Sequence, residues 1–218
     1  MIKAVLFDLD GTLYDRDGLA ATLFPEQYAT FAHELRGISL ERFLHDVHLM
    51  DDHGYGPKEA GYRALVQSWS LDAALAERLV AHFRESYGRH CRLAADVKHT
   101  LDELRRRELQ LAVVTNGPSV MQRRKLAALG IEHMFDAIVV SEEEGVSKPD
   151  AEIFRRALER CGVAAHEALF VGDHPVADVE GAHNAGLRVA WKFVPYWSPV
   201  VSHAPVIHSL SDVLTLVV

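Results

Sequence analysis

Four short polar segments adjoin apolar runs in this sequence, and their residue types are those that bind metal ions and phosphate groups. The segments are Asp8-Leu9-Asp10-Gly11-Thr12, Thr115-Asn116-Gly117, Lys148-Pro149-Asp150, and Gly172-Asp173-His174-Pro175 followed by Asp178. In an extended chain, residues two positions apart point to the same side, so Asp8 and Asp10 can face one ion or one substrate. Carboxylates clustered without a cation repel one another, whereas Mg²⁺ and a phosphate group balance them.

These residue types suit the hydrolysis of a phosphate ester. A carboxylate such as Asp8 can attack phosphorus once a metal ion and Lys148 offset the repulsion between the two anions. The transferred phosphoryl group spreads its charge over three oxygens, which the Thr115 hydroxyl, a backbone N–H and Lys148 can stabilise. Each segment alone also fits an ordinary structural role, as an acidic turn, a helix cap or a solvated lysine. The combination of all four predicts the site.

Apolar runs predict the strands that position these segments. Four short runs are almost wholly apolar and a fifth is weaker: Ile2–Phe7, Leu111–Val114, Ala137–Val140, Ala168–Val171 and Arg188–Trp191. Segments with helical spacing lie between them, and this alternation predicts an α/β fold with a parallel sheet. Ligands of such sheets bind beyond the carboxyl ends of the strands, so the four polar segments are expected to converge on one crevice.

The long stretch between the first and second runs differs from an ordinary crossover connection. From about Arg16 to Arg89 every periodic pattern is helical, and about four helices are predicted where one would suffice. We therefore expect an inserted all-helical domain over residues 16–89. The α/β core domain would comprise residues 1–15 and 90–218.

Composition excludes several other classes of protein. The 218 residues carry a formal net charge of -8, which disfavours binding to nucleic acid. Cys91 and Cys161 form neither a zinc-binding spacing nor a disulfide framework. No apolar run approaches the length of a membrane span, and Met1–Leu6 leads directly into Asp8 rather than into a secretory signal. A cytoplasmic protein without membrane or nucleic-acid partners is predicted.

Together, the four segments resemble the motifs of the haloacid dehalogenase superfamily in order, type and spacing. The helical insert is similar to the cap that members of this superfamily carry between their first and second motifs. The resemblance covers essentially the whole chain. It implies a Rossmann-like core with helices on both faces of a parallel sheet, an all-helical cap, Mg²⁺ as cofactor, and a small phosphorylated metabolite as substrate of a monomer or homodimer.

The same resemblance implies roles for individual residues. Asp8 would be the nucleophile and Asp10 the general acid/base. Asp8, the main-chain carbonyl of Asp10 and Asp173 would bind Mg²⁺, with Asp178 supporting the metal shell. The groups that hold the phosphoryl oxygens would be Thr115, the Asn116 backbone and Lys148.

His174 departs from the family pattern, since a small polar residue is commoner after the metal-binding aspartate. Its imidazole would either act near the metal or the substrate, or line the wall of the crevice without a chemical part. In capped members the insert closes over the leaving group, and the glycine-rich loop Met50–Lys58 is the candidate for this role.

Three alternatives to a phosphatase remain open from the sequence. A dehalogenase of the same superfamily would attack carbon without a metal, which leaves Asp10, Asp173 and Asp178 unexplained. A sugar-phosphate mutase shares every core motif. A non-catalytic module that binds phosphate and Mg²⁺, such as a receiver domain, would lack the long helical insert and would carry its phosphate acceptor after the third strand, where this chain has Ser141.

Overall fold

The structure is a computed structural model that describes residues 1–197 and 204–217. The chain divides into two compact units, one formed by Met1–Asp15 with Leu93–Val218 and the other by Arg16–Arg92. The sequence patterns placed the second boundary slightly earlier, between residues 89 and 90. The difference arises because the last helix of the insert continues to His90, and Leu93 pairs with Tyr14 within the first unit.

The first unit is built on a parallel sheet. Within the described residues its six strands are β1 (Ala4–Phe7), β2 (Gln110–Thr115), β3 (Ala137–Val140), β4 (Ala168–Gly172), β5 (Arg188–Lys192) and β6 (Val206–Ile207). Their order is β3-β2-β1-β4-β5-β6, and every neighbouring pair is parallel. The predicted α/β fold with a parallel sheet is confirmed. β6 was not predicted from the sequence, because its two residues are too few to show a periodic pattern.

β1 lies at the centre of the sheet, which explains its composition. It pairs with β2 on one side and β4 on the other, and all four of its side chains are buried. A strand covered on both faces reads as a continuous apolar run. The chain turns from β1 toward β2 in one direction and later places β4 in the other, so the switch point of the sheet lies beside the carboxyl end of β1. Ligand sites of open α/β sheets occur at such points.

The second unit is helical. It contains α1 (Arg16–Thr30), α2 (Leu40–Asp51), α3 (Lys58–Ser68) and α4 (Ala74–His90), in agreement with the expectation of about four helices. Large apolar side chains fill its interior: Leu23, Phe24, Phe43, Tyr62, Val66, Leu79 and Phe83. The four amphipathic helices bury their apolar faces against one another.

A buried ion cluster fixes the loop between α2 and α3. The guanidinium of Arg16 donates a hydrogen bond to the Asp51 carboxylate, and Lys58 Nζ lies 3.0 Å from Asp51 Oδ1. Lys58 Nζ also donates to the Gly56 carbonyl at 2.7 Å, so one lysine ties the end of the loop to its beginning. This anchors the backbone between Asp51 and Lys58, which contains three residues with positive φ.

In the sequence, the helices of the first unit connect its strands. They are α5 (Val97–Arg106), α6 (Ser119–Leu129), the short α7 (Ser141–Glu144), α8 (Ala151–Cys161) and the short α9 (Gly181–Asn184), which continues a π-helical segment at Pro175–Glu180. On one face of the sheet Ala4 and Leu6 pack in a cluster with Ile153 and Phe154 of α8. Helix α5 contacts β2 and so covers another part of the sheet. Among the described residues, no helix has both the length and the apolar character that crossing a membrane requires.

Candidate active site

Asp8 is held at the carboxyl end of the central strand. Its backbone N–H donates to the Val171 carbonyl at 2.9 Å, which extends the pairing of β1 with β4 by one residue. The side chain is buried, and its Oδ1 accepts a hydrogen bond from Lys148 Nζ at 2.6 Å. Burial raises the pKa of Asp8 to about 7; the Lys148 cation opposes this rise, and the like charges of Asp178 and Asp10 add to it.

Lys148 links two carboxylates in the interior. Its Nζ lies 2.6 Å from Asp8 Oδ1 and 2.6 Å from Asp178 Oδ1, and the lysine is itself buried. Burial lowers the pKa of Lys148, but Asp178 and Asp8 outweigh this effect and raise it, so the side chain is a permanent cation. The Lys148 backbone is fixed by Asn116, whose Nδ2 donates to the Lys148 carbonyl at 3.0 Å and whose Oδ1 accepts from its N–H at 2.9 Å. The second and third polar segments are therefore joined.

Three buried carboxylates lie close enough together to share a cation. Asp8, Asp173 and Asp178 each offer an oxygen, and these oxygens all lie within 4.8 Å of one another. Asp173 Oδ1 is buried without a hydrogen-bond partner among residues 1–197 and 204–217. Burial and the charges of Asp8 and Asp178 raise the pKa of Asp173 well above its usual range, so its ionised form needs a cation. Carboxylate oxygens are the ligands that Mg²⁺ prefers, and the set fits this ion.

Glycine permits the close approach of the segments that carry these carboxylates. Gly11 has a φ of +81°, and a Cβ built on it would lie 2.7 Å from Asp173 Oδ2. A Cβ on Gly172 would lie 2.5 Å from the Asp178 side chain. A larger residue at either position would displace an aspartate of the cluster, because distances this short do not occur between such atoms.

Asp178 is better placed to orient its neighbours than to bind an ion alone. Its Oδ1 accepts from Lys148, and its Oδ2 accepts from the His174 backbone N–H at 3.0 Å. Both oxygens are thus engaged, which suits the predicted supporting role. Asp10, predicted to bind the metal through its main-chain carbonyl, directs its side chain elsewhere.

We expect the metal-free Asp173→Asn variant to become more stable than metal-free wild type as the pH rises. A carboxyl group whose folded pKa is raised keeps its proton when folded but loses it when unfolded, so its contribution to stability falls above the unfolded pKa. Above about pH 4, the usual pKa of an aspartate, wild type should lose up to about 1.4 kcal/mol per pH unit relative to the variant. Asparagine still accepts the hydrogen bond that Asp173 Oδ2 receives from Trp197.

Urea unfolding in EDTA at several pH values measures this difference. Mg²⁺ should then raise the midpoint of wild type and have little effect on the variant. A variant that stays less stable than wild type at every pH in EDTA would contradict the view that Asp173 lies in an electrostatically unfavourable cluster.

The Asp10 side chain is surrounded by donors that the sequence analysis did not anticipate. Its Oδ1 accepts hydrogen bonds from the Tyr14 hydroxyl and from Lys125 Nζ, and its Oδ2 accepts from Gln122 Nε2 at 2.8 Å. Burial alone would raise the pKa of Asp10. The Lys125 charge and the hydrogen bonds from Lys125, Tyr14 and Gln122 have a larger, opposite effect and lower the pKa to about 2. Asp10 is therefore a carboxylate in this structure.

Thr115 is the last residue of β2 and is buried. Its hydroxyl oxygen accepts a hydrogen bond from the same Gln122 amide that contacts Asp10. The predicted phosphate-binding hydroxyl and the predicted acid/base are thereby joined through one side chain of α6. In the sequence, Gln122 and Lys125 stand among other polar residues of that helix, so only their spacing of three residues could have suggested a shared face.

Two tryptophans hold Asp173 in place. The Trp197 indole donates to Asp173 Oδ2 at 3.2 Å, and the Trp191 indole donates to the Asp173 main-chain carbonyl at 2.6 Å. Groups that orient a metal ligand in this way affect the affinity for the metal. Neither tryptophan was predicted to contact the site, and in the sequence Trp191 is simply part of an apolar strand.

The His174 imidazole has a structural contact that favours neither of the predicted chemical roles. Its Nδ1 accepts hydrogen bonds from the backbone N–H groups of Val176 and Ala177, each at 3.1 Å. It thereby caps the π-helical segment that begins at Pro175. Burial lowers the pKa of His174, which suits an imidazole nitrogen that accepts hydrogen bonds.

A family model for haloacid dehalogenase-like hydrolases matches residues 2–186, which include all four polar segments and the helical insert. The chain belongs to this family. The haloacid dehalogenase-like hydrolases were the family that the sequence resemblance indicated, and that prediction is confirmed.

Named relatives of this haloacid dehalogenase-like hydrolase are phosphatases. A phosphoserine phosphatase of Thermus thermophilus is 42% identical over 128 residues, which make up 59% of this chain and 51% of that protein. A glyceraldehyde 3-phosphate phosphatase of Methanopyrus kandleri is 35% identical over 195 residues, 86% of this chain and 82% of that protein. The chain thus spans about half of the first relative and more than four fifths of the second.

Solved structures share the fold. The crystal structure of a HAD phosphatase from Thermococcus onnurineus matches with a TM-score of 0.71 and 28% identity, over 99% of this chain and 97% of that one. The predicted Rossmann-like fold and the predicted enzyme class, a hydrolase of phosphatase type, are confirmed by these relatives.

Proposed function

We propose that this chain is a Mg²⁺-dependent phosphatase that hydrolyses a small phosphorylated metabolite through an aspartyl-phosphate on Asp8. The observation that carries the proposal is the buried Asp8 carboxylate, held 2.6 Å from Lys148 and grouped with Asp173 and Asp178. A carboxylate that is fixed by a lysine and shares a cation site with two others can approach a phosphate dianion, because the positive charges offset the repulsion.

The metal site would be formed by Asp8, Asp173 and the main-chain carbonyl of Asp10, with Asp178 in support. Bound Mg²⁺ would supply positive charge that stabilises the phosphoryl oxygens and neutralises part of the carboxylate cluster. The unpartnered Asp173 Oδ1 supports this assignment.

The reaction would take place in two steps. First, an Asp8 carboxylate oxygen forms a bond to phosphorus while the bond from phosphorus to the ester oxygen breaks, and Asp10 gives its proton to the leaving oxygen. Second, water attacks the phosphorus of the acyl phosphate and gives a proton to Asp10. This step releases inorganic phosphate and restores the Asp8 carboxylate.

Asp10 enters this cycle as a carboxylate, because Lys125, Tyr14 and Gln122 stabilise its ionised form. The proton for the first step must therefore be taken up when the substrate binds. The negative charge of a phosphate bound beside Asp10 would raise the pKa of this carboxyl group and so favour uptake of a proton from solvent. The second step needs Asp10 as a base, and the resting arrangement already provides that form.

Three groups would bind the phosphoryl oxygens: the Thr115 hydroxyl, the Asn116 backbone and Lys148. The reciprocal hydrogen bonds between Asn116 and Lys148 support the proposal, because they keep two of these groups at a fixed spacing. Groups that are fixed before the substrate arrives stabilise transition-state charge without reorganisation.

The related alternatives account less well for the site. A dehalogenase would attack carbon from Asp8 without a metal, which leaves the two other carboxylates grouped with it, Asp173 and Asp178, without a role. A sugar-phosphate mutase would use the same residues but must return the phosphoryl group to its substrate rather than to water. Release of inorganic phosphate distinguishes the phosphatase from the mutase, and any turnover distinguishes both from a binding module.

Turnover of nitrophenyl phosphate with Mg²⁺ and with EDTA tests the proposal. We expect EDTA to abolish hydrolysis and added Mg²⁺ to restore it, since the buried carboxylates repel a phosphate in the absence of a cation. Full activity in chelator would contradict the metal requirement.

A panel of phosphorylated metabolites tests the substrate. It should begin with phosphoserine and glyceraldehyde 3-phosphate, the substrates that the names of the relatives give. A cytoplasmic location and a monomeric or homodimeric state remain predictions.

We expect Asp10→Asn to slow hydrolysis in proportion to how much the leaving group needs a proton. Turnover of an alkyl phosphate should fall by about 10² to 10⁴, the usual contribution of general acid catalysis, and phosphorylation of the enzyme by nitrophenyl phosphate should fall less. Rapid-quench measurement of phosphoenzyme formation with the two substrates gives the comparison. Equal losses for both leaving groups would contradict the assignment of Asp10 as the acid.

A further inference from the structure

Helix α6 carries two buried polar side chains to the end of the sheet where Asp8 lies. Gln122 is 1% exposed and Lys125 is 8% exposed, although both stand in a stretch of otherwise polar sequence. They are three residues apart and so share one face of the helix. Arg124, between them, is exposed. Burial of two polar side chains on one face requires that both be hydrogen-bonded, and both are.

The hydrogen bonds of Gln122 have a defined direction. Its side-chain amide contacts Asp10 Oδ2 at 2.8 Å and Thr115 Oγ1 at 2.5 Å. The Asp10 carboxylate is paired with Lys125 and can only accept, so the amide group that faces it must be the NH₂ and not the carbonyl. A primary amide nitrogen carries two hydrogens, one for each of these two oxygens.

This direction determines what the Thr115 hydroxyl can do. Because its oxygen accepts from Gln122, the single hydrogen of the hydroxyl must be donated to another group. The Asn116 carbonyl is 3.5 Å away, at the limit of a hydrogen bond, and holds that hydrogen weakly. A phosphoryl oxygen is an acceptor without hydrogens to give, so Gln122 leaves Thr115 in the orientation that binding a phosphate requires.

The same amide also restrains Asp10. Lys125 and Tyr14 bind one carboxylate oxygen and Gln122 binds the other, so rotation of the carboxylate is opposed on both sides. A chain of hydrogen bonds therefore runs from Lys125 through Asp10 and Gln122 to Thr115. One side chain thus connects the group that transfers protons with a group that binds the phosphate.

We propose that Gln122 is a positioning residue, which sets the Thr115 hydroxyl as a donor to the phosphoryl group and fixes the orientation of Asp10. This inference rests on the proposed phosphatase function. It extends that function to a residue outside the four polar segments.

The test compares Gln122→Met, Gln122→Glu and the control Arg124→Met in the full chain with Mg²⁺. Methionine keeps the length of the side chain and donates no hydrogen bond. Glutamate also keeps the shape, but its carboxylate accepts from Thr115 and so turns the hydroxyl hydrogen away from the substrate. Arg124→Met changes an exposed residue of the same helix and should leave all constants unchanged.

We expect kcat/KM for nitrophenyl phosphate to fall by about 10- to 100-fold in Gln122→Met, the usual effect of removing a group that orients an active-site residue. The inhibition constant of inorganic phosphate should rise about tenfold in both Gln122 variants, because the loss of a hydrogen-bond donor to an anion has about this effect. In a Thr115→Val background, Gln122→Met should no longer raise that inhibition constant, since the hydroxyl through which it acts is absent.

The outcomes separate this inference from the function on which it rests. Absence of turnover by wild type would contradict the proposed function. Turnover by wild type with unchanged constants in a folded Gln122→Met variant would contradict the positioning role alone. So would an equal rise in the inhibition constant of inorganic phosphate on Gln122→Met with and without the Thr115 hydroxyl. If Gln122→Met does not fold, the inhibition constant of inorganic phosphate in Gln122→Glu is compared with and without Thr115→Val, because the added charge acts in both backgrounds and the orientation of the hydroxyl in only one.

Discussion

Asp8→Asn should abolish turnover and leave no phosphate covalently attached to the protein. The proposed reaction needs a carboxylate oxygen at this position, and an amide is a far weaker nucleophile. Removal of the nucleophile of a serine protease lowers kcat by on the order of 10⁶-fold. We expect a loss of at least about 10⁴-fold for Asp8→Asn. Asn cannot form the acyl phosphate, and brief incubation with a radiolabelled aryl phosphate followed by acid quench should leave the variant unlabelled.

A matched substitution separates this effect from a general loss of negative charge. Asp150 also lies in a polar segment, but it caps α8 by accepting from the Glu152 backbone N–H. Asparagine caps a helix about as well as aspartate, so Asp150→Asn should keep wild-type turnover. Labelling of any residue other than Asp8 in wild type, or activity in Asp8→Asn, would contradict the proposed intermediate.

The strands were predictable because their environment leaves a simple signature. β1 is covered on both faces, so Ala4–Phe7 is apolar at every position, and the polar residues begin where the strand ends. The positions of Asp8, Thr115 and Asp173 follow from this, because parallel strands end at one edge. β2 and β4 then flank β1 in register, which brings these three residues beside one another.

The groups that surround the predicted residues were not predictable in the same way. Gln122 and Lys125 reach Asp10 only because of the way α6 is rotated about its axis, and the sequence of this helix has no clear apolar stripe from which that rotation could be inferred. Trp191 is an apolar strand residue by pattern, and its indole N–H bond to Asp173 depends on tertiary structure. Sequence patterns indicate which apolar residues are buried, but they do not indicate which polar side chains are buried with them or which polar atoms form hydrogen bonds.

Lys148→Met should reduce both stability and turnover. Its Nζ pairs with Asp8 Oδ1 and Asp178 Oδ1, and all three residues are buried. Methionine fills much of the same volume but leaves two buried carboxylates without their cation. Removal of one partner from a buried ion pair costs about 3–5 kcal/mol of unfolding free energy. Loss of a group that stabilises transition-state charge lowers turnover by about 10² to 10³.

Two further variants identify the cause of each loss. Lys148→Arg keeps the charge and should retain more stability than Lys148→Met, although its planar group does not reproduce the lysine contacts. Adding Asp178→Asn to Lys148→Met removes one of the two stranded carboxylates, so it should recover part of the unfolding free energy without recovering turnover. Lower pH should also stabilise Lys148→Met relative to wild type, because protonation neutralises the carboxylates that the lysine no longer pairs. Urea unfolding in EDTA measures these differences, and wild-type stability in Lys148→Met would show that the lysine does not hold the carboxylate cluster together.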